Sequence, residues 1–358
     1  FLRLGQYEIV ARLGSGGMGD VFKGYDSSLD RFVAIKVLPS EFTRHEEFVA
    51  RFRAEATAAA KVEHPNIVPI YSIDSDEGRH YFAMQFVDGQ TLAQLLANDS
   101  QLKPERAMQI IEQVVSGLAV AHRFGLVHRD IKPGNILLAD GGRRALLADF
   151  GLVKSISQEN RMTATGIVMG TVDYISPEQG RGKPVDGRSD LYSIGVLFYQ
   201  LLAGKLPFAA DTPTAMIFQH AYEPPPPLRE AAPHVPPLLA RIIHRLLAKS
   251  AADRYQSGEE LLTDLAAFRA GKTPPNLAAA DRKSEAKSSV IVAPKFVDDE
   301  LSVLPQPTFH TSQPVPLESR SIWHDAKQYL FSWLRKQAPQ ISRQLEDTSV
   351  MSRSRREV

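Results

Sequence analysis

The stretch HRDIKPGNILL, His128 to Leu138, sets an imidazole, a guanidinium, a carboxylate, an ammonium and an amide within eight residues and then turns apolar. Polar groups beside a segment that must be buried cost free energy unless each has a partner or a task. A plain surface loop would not need the apolar flank. The expectation is therefore a loop anchored in a core by a strand over Ile136 to Leu138, with its polar groups turned toward a site.

Downstream, the apolar run ALLA ends in ADFG, Ala148 to Gly151, which adds the carboxylate of Asp149. Asp-Phe-Gly is common by chance, but its spacing of one hairpin after the polar loop is not. Upstream, LGSGGMGDV, Leu13 to Val21, has the form G-x-G-x-x-G-x-V with Gly14, Gly16 and Gly19. Glycines let a backbone approach phosphates and aim N–H groups at them. A dinucleotide-binding turn would lead into a helix, whereas DVFKGYD reads as a second strand, so a hairpin is expected. No G-K-[ST] ends the run, which excludes a P-loop.

VAIK, Val33 to Lys36, places an ammonium at the end of an apolar strand, and Glu55 falls on the helix that follows. In combination these residues gain roles: Glu55 holds Lys36, and Lys36 holds phosphates. If a triphosphate lies there, Asp130 can orient an incoming hydroxyl and accept its proton, Lys132 can steady the transferred group, and Asn135 with Asp149 can hold magnesium.

The 358 residues, 43% apolar, suit one large bilobal unit or two domains with linkers. A net charge of +1 gives no whole-chain field toward nucleic acid, so no nucleic-acid partner is expected. The absence of cysteine excludes disulfides, thiolate zinc sites and thiol nucleophiles. The start, FLRLGQYEIV, shows no targeting pattern and reads as the start of a cut fragment. The longest apolar run, Leu191 to Gly204, stops at Lys205, short of a bilayer span, and reads as a buried helix.

Residues 7–87 are strand-rich, with one Ala-, Glu- and Arg-rich helix over His45 to Val62. Residues 88–270 turn helical, and Pro104 to Gly125 carries an apolar stripe of Ala107, Ile110, Ile111, Val114, Leu118 and Ala121. The class is α+β, a small lobe before a larger one. Residues 271–319 read as a disordered Pro- and Ser-rich linker, and 320–358 as a tail with an amphipathic helix. That helix sets Trp323, Ala326, Leu330, Trp333 and Leu334 on one face beside Lys327, Arg335 and Lys336. It could lie on a membrane surface, dock on a partner, pack on the preceding domain or form no stable structure.

The series GSGGMG, VAIK, Glu55, HRDIKPGN, DFG and SPE resembles the protein-kinase signature set. GGMG, GTVDYISPEQ and DRYQS are most similar to the Hanks-type serine/threonine kinases of bacteria. The resemblance covers Tyr7 to Arg269 and implies a bilobal kinase fold, ATP and Mg2+ as cofactors, and proteins phosphorylated on Ser or Thr as substrates. It makes Asp130 the catalytic base, Lys36 and Glu55 an ion pair, and Asn135 and Asp149 the metal ligands. Lys132 matches the serine/threonine branch. The loop Gly14, Ser15, Gly16, Gly17, Met18 and Gly19 would cover the phosphates. Leu13, Val21, Ala34, Met84, Leu137 and Ala148 would enclose adenine, with Gln85, Phe86 and Val87 as hinge.

The resemblance further implies that Thr171 contacts Lys132 and Asp130 and that Glu178 pairs with Arg254. Thr163 and Thr165 match phosphorylated positions, and a phosphothreonine there would join Arg129. Family members often form homodimers through the small lobe. The expected location is cytoplasmic, as a free chain or as part of a longer membrane-anchored protein. His64 and His122 read as structural, and Asp190 as a helix cap or a brace for the loop. The rivals are a nucleotide-binding scaffold, disfavoured by the full residue set, and a small-molecule kinase, disfavoured by GTVDYISPE.

Overall fold

Alternation along two short strands decides the architecture of the small lobe. On Arg31–Val37 the odd residues Val33, Ile35 and Val37 face one side and the even residues Ala34 and Lys36 the other; on Arg79–Gln85, Tyr81 and Ala83 oppose Phe82 and Met84. Period-two side chains must emerge on opposite faces of a strand. Both faces are covered here, so the strands read as apolar runs rather than as half-polar patterns.

The computed structural model describes residues 3–16, 19–150 and 172–289. These fall within one compact unit, Phe1–Val292. The small lobe is a six-stranded antiparallel sheet of β1 (Arg3–Leu4), β2 (Tyr7–Gly16), β3 (Gly19–Asp26), β4 (Arg31–Val37), β5 (Ile70–Asp76) and β6 (Arg79–Gln85), in the order β1-β2-β3-β4-β6-β5. The short helix α1 (Ser40–Thr43) and α2 (Glu46–Ala60) separate β4 from β5. Helix α2 lies on the even face, where Phe52 meets Phe82 at 5.5 Å between ring centroids. Leu4, Tyr7, Val33, Ile35, Val37, Tyr81 and Ala83 close the odd face.

The large lobe follows β7 (Gly89–Thr91), α3 (Leu92–Asn98) and α4 (Pro104–Arg123). Proline occupies the first turn of α4, where its missing N–H costs nothing. The six stripe residues named from the sequence are all buried. The hairpin β8 (Ile136–Ala139) and β9 (Arg144–Leu147) joins β7 in a second sheet. After residue 172 come α5 (Pro177–Gly180), α6 (Gly187–Ala203), α7 (Pro213–Tyr222), α8 (Leu228–Ala231), α9 (Pro237–Leu246), α10 (Gly258–Arg269) and α11 (Pro275–Ser289). Helix α6 contains the longest apolar run and is buried on nearly all sides. A helix apolar all round belongs at the centre of its lobe.

Two elements depart from the sequence reading. Strand β5, IYSIDSD, carries too many polar residues to stand out, yet it pairs with β6 along its length. Helix α11 lies inside the stretch read as linker, which corrects that boundary. Its own pattern is weak, and its start is fixed from outside: Asp264, fully buried, accepts from the backbone N–H groups of Asn276 and Leu277. Leu277 is buried beside it, and Arg241 pairs with Asp281 at 2.5 Å. The tail helix expected around Trp323 and Trp333 lies outside the described residues.

Candidate active site

The loop His128 to Asn135 is held by its backbone before any of its side chains acts. The buried carboxylate of Asp190, on α6, accepts from the backbone N–H of His128 at 2.7 Å and of Arg129 at 2.8 Å. It also meets His122 Nε2 at 2.8 Å, so the brace reading of Asp190 stands and His122 gains a carboxylate partner that its sequence context does not reveal. Arg129 adopts φ +64°, a left-handed conformation unusual for a residue with a Cβ. Such a conformation persists where the surroundings over-determine it, and the bonds to Asp190 do that.

His128 couples this loop to the segment of Asp149. The N–H of Asp130 donates to His128 Nδ1, so the ring proton sits on Nε2 and is donated to Ala148 O at 3.0 Å. The ring is fully buried and packs on Phe150 at 4.9 Å. Burial holds the imidazole well below its ordinary pKa, and the neutral form is the one this hydrogen-bond pattern needs. The register of β8 with β9 brings the two segments together again, and Ala148 N–H donates to Asn135 O at 2.9 Å. Asp149 follows with φ +57°.

Within the loop, Asp130 and Asn135 are buried. Lys132 Nζ lies 2.9 Å from Asp130 Oδ2, and the Asn135 amide N–H2 donates to Asp130 O at 2.7 Å and to Asp130 Oδ2 at 3.1 Å. With its nitrogen so engaged, the Asn135 amide oxygen accepts no hydrogen bond among the described residues. A free amide oxygen and the carboxylate of Asp149 form an all-oxygen donor set, which fits a hard divalent cation. Lys36, on β4, is only 4% exposed and pairs with Asp149 Oδ1 at 2.8 Å.

Glu55 is the partner expected for Lys36, and the structure sets the carboxylate of Asp149 against the same ammonium. A nearly buried cation needs a carboxylate beside it, and Asp149 supplies one. Glu55 sits half-buried on α2. Ala59 of that helix and Phe150 line one small space with Met84 and Phe82.

The expected adenine pocket is brought together in part. Val21, Ala34, Met84, Val87, Leu137 and Ala148 belong to one apolar cluster, and Ala34 and Met84 are cross-strand partners. Leu13 lies outside that cluster and is exposed. In the hinge, Gln85 N–H is used by Pro69 O, whereas the N–H groups of Phe86 and Val87 donate to no backbone acceptor among the described residues. The glycine-rich hairpin closes with Ser15 opposite Asp20 and Gly16 opposite Gly19. Gly19 has φ +108°, and a Cβ there would lie 2.1 Å from Val37 O, so no side chain fits. A Cβ on Gly14 would meet only open space, so its lack of a side chain leaves room there. Gly17, Met18, Thr163, Thr165 and Thr171 lie outside the described residues.

Farther from the loop, the expected bridge is present. Arg254, fully buried, engages Glu178 through both terminal nitrogens, at 2.7 and 2.8 Å. Burial alone would raise the Glu178 pKa, but hydrogen bonds from Arg254 and Ser189 outweigh it and hold the carboxyl below its usual range. Gln179, beside it, donates to Arg129 O and so ties α5 to the catalytic loop. His64 accepts from Asn66 N–H and meets Ser116 Oγ, a structural role.

A sheet lobe carrying a lysine, a hinge and a loop of Asp, Lys and Asn beside a second Asp define a phosphoryl-transfer architecture. The protein kinase domain family matches residues 7–264, and the chain belongs to that family. It is 41% identical over 276 residues to the serine/threonine-protein kinase PknA of Mycobacterium tuberculosis, across 76% of this chain and 63% of that one. It is 40% identical over 262 residues to the probable serine/threonine-protein kinase PknB of Lactococcus lactis, across 73% of this chain and 42% of that one. The chain thus spans less than two thirds of the length of these relatives. Among solved structures, the PknI kinase domain of Mycobacterium tuberculosis is 29% identical with a TM-score of 0.60, covering 74% of this chain and 96% of that domain. The bilobal protein-kinase fold expected from the motifs is therefore the fold of this chain, and membership implies ATP and a divalent metal ion. Among the described residues no helix is long and apolar enough to cross a membrane.

Proposed function

We propose that the chain is a serine/threonine protein kinase that transfers the ATP γ-phosphoryl group to hydroxyls of protein substrates. The observation that carries the reading is the contact set in which Asp130 is held by Asn135 and Lys132 at one end of a backbone clamped by Asp190. Asp130 accepts the hydroxyl proton and orients the oxygen for attack. Lys132, bonded to the same carboxylate, carries positive charge beside the acceptor, where negative charge gathers during transfer. Lys36 binds phosphate oxygens, and the N–H groups of Phe86 and Val87, which donate to no backbone acceptor among the described residues, meet the base. The Asn135 amide oxygen and the Asp149 carboxylate would hold magnesium, whose charge offsets that of the phosphates.

Regulation by the segment between Asp149 and Glu178 is part of the proposal. Arg129 Nε is buried and has no hydrogen-bond partner among the described residues, although an unpaired buried guanidinium N–H is costly. A phosphate on Thr163 or Thr165 would supply the missing acceptor and order the segment. Magnesium ATP and protein substrates also support a cytoplasmic location. A Thr163→Ala, Thr165→Ala double variant assayed on an exogenous substrate tests the switch, and unchanged activity would remove it. For the reaction itself, phosphate incorporation into a Ser/Thr-containing protein should vanish with Asp130→Asn while ATP binding persists.

A further inference from the structure

Two rungs of side chains cross the cleft face of the small-lobe sheet. One runs Val21–Lys36–Phe82 and the next Lys23–Ala34–Met84, as the registers of β3, β4 and β6 require. Ala34 and Met84 are the residues proposed to cover adenine, so Lys23 is the third member of the adenine rung. The sequence reading assigned it nothing.

Its ammonium lies between two aromatic faces, 4.1 Å from the ring centroid of Phe32 and 4.3 Å from that of Phe86. Those rings are themselves 6.4 Å apart, and Phe32 is backed by Tyr25 at 5.5 Å. The Tyr25 hydroxyl donates to Asp30 Oδ1 at 2.6 Å, in the turn between β3 and β4. A tethered row therefore runs from that turn to the hinge, and among the described residues Lys23 makes no ion pair that would compete with the rings.

Phe86 is the centre of the hinge. Its backbone N–H and that of Val87 donate to no backbone acceptor among the described residues, so no such hydrogen bond through them fixes how the two peptide groups face the cleft. The side chain of Phe86 is the remaining handle on that orientation. A cation held on a ring face is attracted by the ring quadrupole, more strongly as water is excluded, and here one cation serves two faces.

We infer that Lys23 is a positioning residue for the nucleotide: through Phe86 it fixes the hinge backbone against the strand that roofs the adenine. The inference rests on the kinase reading above. It gives Lys23 no part in the chemical step and no direct contact with phosphate.

The test is calorimetric titration of the full chain with magnesium and a non-hydrolysable ATP analogue, together with steady-state kinetics in ATP. Lys23→Met keeps the length and removes the charge, and Lys23→Arg keeps a cation able to stack. The expected results are a Kd and a KM for nucleotide raised about three- to tenfold in Lys23→Met, kcat within about twofold of wild type, and recovery in Lys23→Arg. In a Phe86→Leu background the Lys23→Met effect should shrink to within about twofold, since its route is gone. A thermal midpoint shared by the three single variants would show that folding is not what changed. Equal affinity in wild type and Lys23→Met would overturn the inference, as would an undiminished effect in the Phe86→Leu background. Failure of the wild-type chain to bind the analogue would instead remove the kinase reading and this inference with it.

Discussion

Among the described residues two ion pairs have one nearly buried cation each, and they are built to opposite ends. Arg254 spends all five of its N–H groups: two on Glu178, and the others on the carbonyls of Ala248, Arg188 and Lys249. Lys36 makes its bridge to Asp149 with one of three ammonium donors, on a carboxylate at φ +57°. The saturated pair locks α5 and the loop after α9 in a single arrangement. The unsaturated pair keeps donors available at the mouth of the site. Full satisfaction marks geometry that must not change, and spare capacity marks geometry that must receive a ligand.

The largest expected effect breaks the saturated pair. Arg254→Met leaves Glu178 half-buried and strips three carbonyls of their donor, so urea unfolding should show a loss of about 3–5 kcal/mol. Next comes Lys36→Met, which should lower kcat/KM by about 10²–10³ through the loss of a phosphate-directed cation. Its unfolding free energy should stay within about 1 kcal/mol of wild type, because a single partly exposed bridge is lost along with a charge that was expensive to bury. If Lys36→Met instead unfolded as readily as Arg254→Met, the contrast between the two pairs would collapse.

Acid sharpens the same contrast. The Glu178 carboxyl is held below its ordinary value of 4.5, so the folded state binds protons less readily than the unfolded one. The stabilisation is complete above that ordinary value and is lost as pH falls through the lower, folded-state value. Urea midpoints followed downward from pH 6 should therefore decline more steeply in wild type than in Glu178→Gln. Parallel curves would mean that the bridge contributes no pH-dependent stability.

The smallest expected effect concerns α11. Asp264→Ala removes the acceptor for the N–H groups of Asn276 and Leu277, and should cost about 1–2 kcal/mol and expose residues 275–289 to proteolysis first. Retention of that helix against protease in the variant would show that Leu277 alone anchors it.

What could be read from the sequence was local. The hairpin of β2 and β3, the apolar strand ending in Lys36 and the polar loop before β8 each declare themselves within about ten residues through turn chemistry and periodicity. Pairings set by long-range packing did not. The meeting of Lys36 with Asp149 depends on how β4 and the segment after β9 come together, far apart in the sequence. His122 meets Asp190 across two helices, and nothing near either residue points to the other. Strand β5 and helix α11 were hidden for a related reason: their own apolar content is low, and their neighbours fix them. Nothing in the sequence around Lys23 sets it apart, because Phe32 and Phe86 come to either side of it only in the fold.

The most direct test of the central claim is intact mass after incubation with magnesium and ATP, alone and with a Ser/Thr-containing protein, comparing wild type with Asp130→Asn. The expected result is phosphate gained only with the wild-type chain, on hydroxyl residues of itself or of the added protein, while both chains bind ATP. Equal phosphate incorporation with the two chains would contradict the role given to Asp130. No incorporation with either, despite ATP binding, would contradict the assignment of a competent phosphoryl-transfer site.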